Sequence, residues 1–241
     1  MFSIRLVCEG ITDEIVLKAV LRAYLQSPDF TVDTIQPERS GFQGEPAEHG
    51  TGWKGVRSWC QMAQAEGGLE AVRALEPGVD LLIIHVDAEI VFEAEHNSAQ
   101  PCPPPEHNVI TAEDIVLSWL GLSELPEKVV IWVPSMMTEA WVLRALFPAL
   151  PESSTCLDPA ASSACVECIS DPKATLLGKT PKLAKRKNRI KNGRRISEVK
   201  TITSAYSGIR GSISQAWPDL VVDLWSAARL QQNLTRALPI P

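Results

Sequence analysis

The sequence predicts an α/β fold in which a mainly parallel sheet is flanked by helices, followed by a basic and helical C-terminal extension. Two observations carry this prediction: strand-like apolar runs alternate with helical patterns, and the two most apolar runs lack the alternation of a half-exposed strand. Strands that are buried on both faces are typical of parallel sheets covered by helices. Of the 241 residues, we assign 1–150 to the α/β core and 151–241 to the extension.

The first half of the core predicts two strands and two helices. Ser3 to Val7 is a short apolar strand, and Thr12 to Gln26 carries apolar residues at helical spacing. Thr31 to Ile35 is rich in β-branched residues, which favours a second strand. Gln36 to Gly55 is glycine-rich, which is typical of a functional or disordered loop. Trp53 to Leu75 then has a helical pattern that a pair of glycines interrupts.

The second half of the core repeats the alternation. Asp80 to Val86 is the strongest strand in the chain, and Lys128 to Val133 is another buried strand. Thr111 to Leu120 predicts a helix with its first threonine as the N-cap, and Met137 to Leu146 predicts a helix that a proline closes. This order predicts parallel strands joined by right-handed crossovers.

The extension contains a basic segment and a helical tail. Lys173 to Arg195 holds ten of the 23 basic residues and none of the 29 acidic ones, although the whole chain has a net charge of −6. Such a run is either a solvated or disordered loop or a surface that contacts the phosphates of a nucleic acid. Ile196 to Leu238 predicts two short helices, the second from Asp219 to Leu230.

Composition excludes some classes of protein. No stretch reaches the roughly 18 uninterrupted apolar residues of a membrane span, and the first residues lack the zones of a signal peptide. We therefore expect a soluble, cytoplasmic protein with no membrane partner, whose six cysteines are reduced. Cys165 and Cys168, with Cys156 nearby, are spaced for zinc, but no second ligand pair completes a four-ligand site.

Acidic residues follow three of the four predicted strands. Glu9 and Asp13 follow the first strand, Asp87 and Glu89 follow the third, and Glu139 lies beyond the fourth. Because neighbouring strands lie about 4.8 Å apart, Glu9 and Asp87 would project into one small volume if the first and third strands pair. Clustered carboxylates repel one another unless a cation neutralises them, and Mg²⁺ prefers such oxygen ligands.

Each acid also has a structural explanation. Asp13 complements the dipole of its helix, with Thr12 as the N-cap, and Glu139 could do the same in its own helix. An acid after a buried strand can simply mark the exit of the chain into solvent. In the functional interpretation, Gly10 lets the chain turn sharply enough to aim Glu9 across the end of the sheet.

Three motifs resemble the toprim domain of topoisomerases, primases and OLD-family nucleases. They are V-C-E-G-I-T-D-E at Val7 to Glu14, H-V-D-A-E at His85 to Glu89, and P-S-M-M-T-E-A-W-V-L at Pro134 to Leu143. The first and third are similar to motifs of small toprim-like proteins associated with bacterial anti-phage defence. The resemblance covers Phe2 to Phe147 and implies a toprim-like fold.

The resemblance also implies roles for individual residues. Glu9 matches the general acid/base or metal contact of the family, and Asp87 matches its first metal-binding aspartate. Glu89 stands where the family has a second aspartate and is one methylene longer. Asp13 matches an acid of OLD-like members, and Glu139 matches the glutamate of the E-A-W helix. A Mg²⁺ or Mn²⁺ site formed by these five residues is therefore expected.

The leading hypothesis is a Mg²⁺-dependent nuclease of toprim type that acts in anti-phage defence. Its expected catalytic residues are Glu9, Asp87 and a lysine, for which Lys182 is chosen among three candidates with Lys173 and Lys179. The basic residues expected to hold the nucleic-acid backbone are Lys173, Lys179, Lys182, Lys185, Arg186, Lys187, Arg189, Lys191, Arg194 and Arg195.

Two other hypotheses stay open. The chain has no phosphate-binding loop of its own, so it could be an interaction subunit gated by a separately encoded ATPase, with weak or no catalysis. It could also be a structural α/β domain without catalysis. A homo-oligomer is compatible with each hypothesis. The two tyrosines, Tyr24 and Tyr206, do not support topoisomerase chemistry, and Tyr24 lies on the apolar face of its predicted helix.

Overall fold

A four-stranded, all-parallel sheet lies at the centre of the computed structural model, which describes residues 1–38, 49–93, 105–150, 166–191 and 194–238. The strands stand in the order β2-β1-β3-β4. Their bounds are Phe2–Val7 for β1, Phe30–Gln36 for β2, Leu81–His85 for β3 and Val129–Trp132 for β4. The predicted α/β class with a mainly parallel, helix-flanked sheet is confirmed, and the arrangement is consistent with a toprim-like fold.

Seven helices surround the sheet within the described ranges. They are α1 (Ile11–Leu25), α2 (Gly52–Ala65), α3 (Pro105–Leu120), α4 (Glu139–Leu146), α5 (Pro172–Lys179), α6 (Thr203–Asp223) and α7 (Trp225–Ala237). None of these helices is long and apolar enough to cross a lipid bilayer.

Both faces of the sheet are covered. On β3, Leu81 and Ile83 pack into a cluster with α1, α4, α6 and α7, whereas Leu82 and Ile84 pack into a second cluster with α2 and α3. Successive side chains of a strand point to opposite faces, so a strand between two helical layers must be apolar at every position. This is the physical reason for the continuous apolar run that the sequence shows there.

The first and third strands pair, as the interpretation of the acids required. β1 and β3 run parallel, with Ile4 opposite Leu81 and Val7 opposite Ile84. The residues that follow these two strands therefore leave the sheet side by side at its carboxyl edge.

Several helices begin or end at residues other than those predicted. Thr12 lies inside α1, whose N-cap is Gly10, and Thr111 lies inside α3, where its hydroxyl donates to His107 O. The second helix ends at Ala65 rather than continuing to Leu75. Two following glycines have positive φ angles of 101° and 110°, which a helix does not accommodate.

The extension differs from its predicted local structure in two places. The basic segment is not a loop: it forms α5 and an antiparallel hairpin of β5 (Ala184–Lys191) and β6 (Arg194–Thr201). The second C-terminal helix begins at Trp225 rather than at the predicted Asp219, because α6 continues through Pro218 to Asp223. The helices pack on the core, since Tyr206, Leu220 and Leu230 share a hydrophobic cluster with β1 and α1.

The zinc prediction falls largely outside the described residues. Cys156 and Cys165 are not among them, and Cys168 is buried in a short 3-10 helix, Val166–Cys168. Zinc binding by these cysteines stays a prediction. The predicted loop Gln36 to Gly55 is likewise described only up to residue 38 and from residue 49.

Candidate metal centre

An Asp-His-Asp trio lies at the carboxyl edge of the sheet. Asp13, His85 and Asp87 are buried, and each offers one ligand atom within 4.8 Å of the other two. His85 Nδ1 is 3.9 Å from Asp13 Oδ2, and His85 Nε2 is 3.5 Å from Asp87 Oδ1. A cluster of this composition and spacing can hold a metal ion.

Hydrogen bonds orient the ring of His85. Its Nε2 lies 3.2 Å from Thr138 Oγ1, and the Thr138 amide and hydroxyl both donate to Asp87 Oδ1, at 2.9 and 3.2 Å. We assign the imidazole proton to Nε2 from this network, in which the Thr138 hydroxyl donates to the carboxylate and accepts from the ring. In the neutral ring, Nδ1 then carries a lone pair, and it has no hydrogen-bond partner within the described chain. This is the orientation expected of a metal-binding histidine.

Glu9 is bound to the backbone of the trio. Its Oε1 accepts a hydrogen bond from the amide of Asp87, with 2.8 Å between the two atoms. The expected turn at Gly10 is wrong, because this residue is extended, with φ −165° and ψ 175°. The left-handed residue beside Glu9 is instead Gly52, with φ 69°, whose amide donates to Glu9 O at 3.0 Å.

Glu139 and Glu89 complete what we call the acid cluster, which consists of Glu9, Asp13, Asp87, Glu89 and Glu139. Glu139 is buried at the start of α4, and Glu89 is half-buried in a 3-10 helix, Ala88–Phe92, directly after the trio. Of the five predicted metal residues, Asp13 and Asp87 belong to the trio, and metal binding by Glu9, Glu89 and Glu139 stays a prediction. The structure adds His85, which the sequence analysis did not select.

Lys173 supplies positive charge to the acid cluster. Its Nζ is 3.6 Å from Glu139 Oε2, and the side chain is 30% exposed. Asp171 caps α5 by accepting from the amide of Ala174 at 2.8 Å, which fixes the start of the helix that carries Lys173. Lys182, the chosen catalytic lysine, is exposed before β5 and makes no ion pair with the acids within the described ranges. The geometry therefore favours Lys173 for that role.

Three helices deliver side chains to this centre from their first turns, and a fourth begins beside it. Asp13 comes from α1, Glu139 from α4 and Lys173 from α5, whereas Thr203, the first residue of α6, lines a cleft together with Glu9. A helix N-terminus carries partial positive charge and stabilises nearby anions. The four N-termini therefore offset part of the repulsion among the carboxylates.

Burial raises the pKa of the three glutamates of the acid cluster. For Glu9, burial is the largest cause, followed by the charges of Asp87 and Asp13. Burial and Asp87 raise the pKa of Glu89 to about 7. Burial raises the pKa of Glu139 to about 8, although Lys173 acts in the opposite direction. These three groups bind protons more tightly than exposed carboxylates do.

The pKa values of the two aspartates in the trio are shifted in opposite directions. Burial raises the pKa of Asp13, against the opposing effect of His85. Burial also acts to raise the pKa of Asp87, but hydrogen bonding to His85 and Thr138 and the charge of Lys173 outweigh it, so the pKa is lowered. Burial acts to lower the pKa of Lys173, and the surrounding carboxylates raise it overall. Asp87 and Lys173 are therefore the firmly charged members of the centre.

A cleft opens beside Glu9. It has a volume of about 460 Å³ and is lined by Thr12 and Thr34 on one side and by Thr201 and Thr203 on the other. The base of the basic hairpin, where β6 ends, therefore flanks the metal centre. A second cleft, of about 550 Å³, lies between α1, β2 and α6 and contains none of the acid cluster.

The predicted backbone-binding residues divide into three groups. Lys173 lies in the metal centre, whereas Lys179, Lys182, Lys185, Arg186 and Lys187 are exposed on α5, the following turn and β5. The remaining four belong to the hairpin strands, but their side chains fall outside the described part: Arg189, Lys191, Arg194 and Arg195.

The sequence analysis did not select His85, which belongs to the centre, or Tyr206, whose pKa is raised by burial and by the charges of Glu139, Asp13 and Asp87. His85 stands two positions before Asp87, and an ionisable residue in an otherwise apolar strand was an available signal. Tyr206 lies about 190 residues from Glu9 and Asp13 in the chain, and no local pattern connects them.

No protein-family model, curated protein or solved structure matches the chain significantly. The toprim resemblance of the three motifs thus remains a hypothesis. Proposals about function rest on the residues of the chain itself.

Proposed function

We propose that this protein is a divalent-cation-dependent nuclease of toprim type, acting in anti-phage defence. The observation that carries the proposal is the buried Asp13–His85–Asp87 trio at the sheet edge, beside which Lys173 pairs with the buried Glu139. Exposed cations on the neighbouring hairpin support a polyanionic substrate.

Mg²⁺ or Mn²⁺ fits the side chains of the trio. Carboxylate oxygens suit both ions, and the lone pair on His85 Nδ1 adds a nitrogen ligand that Mn²⁺ accepts more readily than Mg²⁺. Asp87 receives its described hydrogen bonds on Oδ1, which leaves Oδ2 for a cation. The bound ion would polarise the phosphate oxygens.

The surrounding residues would act on the substrate and on water. Lys173 would offset the charge that develops on the scissile phosphate. Glu9 would accept a proton from the attacking water, a role that suits a carboxylate with a raised pKa. Both side chains lie at the same sheet edge as the trio.

The basic hairpin would hold the nucleic-acid backbone. Lys185, Arg186 and Lys187 are exposed on β5, whose partner strand ends at the cleft beside Glu9. Contacts of this type bind phosphates without selecting a base sequence. The hairpin would therefore bring nucleic-acid strands of any base sequence to the metal centre.

A cleavage assay tests the proposal. Purified protein is incubated with plasmid, single-stranded DNA and RNA in Mg²⁺, Mn²⁺ or EDTA, in parallel with Glu9→Gln and Asp87→Asn. Matched controls are Glu66→Gln and Asp219→Asn, which change exposed acids outside the acid cluster. We expect cation-dependent cleavage that the first two substitutions abolish and the controls retain.

Two results would count against the proposal. Cleavage that survives both Glu9→Gln and Asp87→Asn would rule out this centre as its source. The absence of cleavage under every condition, with cation binding intact, would favour the interaction subunit gated by a separately encoded ATPase.

A further inference from the structure

Among the buried polar atoms that lack a hydrogen-bond partner within the described chain, three bear most directly on the acid cluster. They are His85 Nδ1, Glu139 Oε2 and the hydroxyl of Tyr206. Two of them belong to residues already assigned to the centre. Tyr206 belongs to the extension and has no role in the proposed chemistry.

The position of Tyr206 is fixed by its surroundings. The side chain is 0% exposed and lies in the first turn of α6, where its amide donates to Ile202 O at 3.2 Å. Ile202 is itself tied to the base of the hairpin, because its amide donates to Leu183 O at 2.8 Å. α6 packs against both α1 and α4, the helices that carry Asp13 and Glu139.

The hydroxyl of Tyr206 faces a negative environment. Burial raises its pKa, and the charges of Glu139, Asp13 and Asp87 raise it further. The phenol therefore keeps its proton and acts as a hydrogen-bond donor. A buried donor without an acceptor is unfavourable, so the site is better suited to a ligand oxygen than to the protein alone.

We propose that Tyr206 is a positioning residue of the metal centre, whose hydroxyl donates a hydrogen bond to a water or phosphate oxygen in the coordination shell of the cation. This inference rests on the proposed cation site, but it does not require that the protein cleave nucleic acid. It makes the C-terminal extension part of the centre.

Tyr206→Phe separates this role from a structural one. The substitution keeps the ring that packs in the core and removes only the unpartnered hydroxyl. We expect the melting temperature in EDTA to stay the same or rise, and the Mn²⁺ dissociation constant from calorimetry to increase about 10-fold, as outer-shell substitutions commonly do. A merely structural residue would lower the melting temperature and leave Mn²⁺ affinity unchanged.

Tyr24→Phe is the matched control. The hydroxyl of Tyr24 lies 3.3 Å from Leu238 O, so its removal deletes a hydrogen bond of the fold. We expect this variant to keep wild-type Mn²⁺ affinity. Asp87→Asn, which alters the trio directly, should abolish Mn²⁺ binding.

The outcomes distinguish the two proposals. If wild-type protein binds Mn²⁺ and Tyr206→Phe weakens binding while no substrate is cleaved, the nuclease proposal fails and the role of Tyr206 stands. Wild-type Mn²⁺ affinity in Tyr206→Phe, or no Mn²⁺ binding by the wild type, overturns the role of Tyr206.

Discussion

Glu9 Oε1 accepts a hydrogen bond from the backbone amide of Asp87, across 78 residues of sequence. The parallel pairing of β1 with β3 makes this contact, because both residues lie just beyond the ends of neighbouring strands. Glu9 thus holds the backbone of a trio residue as well as adding charge to the acid cluster.

Two substitutions of Glu9 should separate these effects. Glu9→Gln keeps an acceptor for the Asp87 amide and removes a repelling charge, so we expect unchanged or higher stability in EDTA but weaker Mn²⁺ binding. Glu9→Ala leaves the amide without its acceptor and should cost about 1–3 kcal/mol of unfolding free energy. Urea denaturation of both variants measures the difference. Equal stability of the two would show that the hydrogen bond contributes little.

The raised pKa values predict that cation-free protein loses stability as the pH rises. A carboxyl group with a raised pKa in the folded state contributes stability below its unfolded value, near 4.5, and loses it as the pH passes the folded value, about 7 for Glu89 and about 8 for Glu139. Melting temperatures in EDTA should fall across this range. Because Mn²⁺ binds the ionised acids, its stabilising effect should grow over the same range.

Glu139→Gln provides the control for this pH dependence. It removes the group whose pKa in the folded state is about 8 and should flatten the upper part of the profile. An unchanged profile in this variant would assign the pH dependence to other groups.

Lys173 and Lys182 should differ in their effect on cleavage. Lys173 lies 3.6 Å from Glu139, whereas Lys182 is exposed. Lys173→Met should slow cleavage about 100-fold, the usual cost of removing one group that stabilises transition-state charge. Lys182→Met should change the rate constant of cleavage far less. If both variants cleave equally slowly, the preference for Lys173 over Lys182 as the catalytic lysine is wrong.

Neutralising the hairpin should reduce the salt dependence of nucleic-acid binding. Replacing Lys185, Arg186 and Lys187 with serine removes three exposed cations from β5. If each contacts a phosphate, the slope of log affinity against log salt should decrease by about 2–3. Fluorescence anisotropy with a labelled strand measures the slope, and Mn²⁺ affinity serves as the control that should not change.

Glu167 should affect stability without affecting the metal centre. Its carboxylate accepts hydrogen bonds from the amides of Trp225 and Ser226, at 2.8 and 3.0 Å, and so caps α7. Glu167→Ala leaves these buried donors unpaired and should lower the unfolding free energy by about 2–3 kcal/mol. Mn²⁺ affinity measured under native conditions should stay that of the wild type. A loss of affinity would indicate that α7 also supports the centre.

Local sequence patterns were sufficient to predict much of the α/β core. The apolar runs at β3 and β4 reveal their burial because every position of a doubly covered strand must be apolar. The acids at the strand ends could be selected for a related reason, since the carboxyl edge of a parallel sheet is where ligand-binding groups gather. Glu9, Asp13, Asp87, Glu89 and Glu139 were therefore recognisable in advance.

The extension was harder to interpret because its structure depends on contacts between distant segments. The strands of the hairpin are strongly charged, so they lack the apolar alternation that identifies a half-buried strand. The second helix was predicted to begin at Asp219, but α6, which packs against α1 and α4, continues through Pro218 to Asp223.

The composition of the centre shows the same division. Periodicity and residue type placed the carboxylates at one sheet edge, because burial and secondary structure leave local signatures in a sequence. The ion pair of Lys173 with Glu139 and the burial of Tyr206 between helices follow from how α4, α5 and α6 pack at that edge. Such packing joins segments far apart in the chain, and no short stretch of residues encodes it.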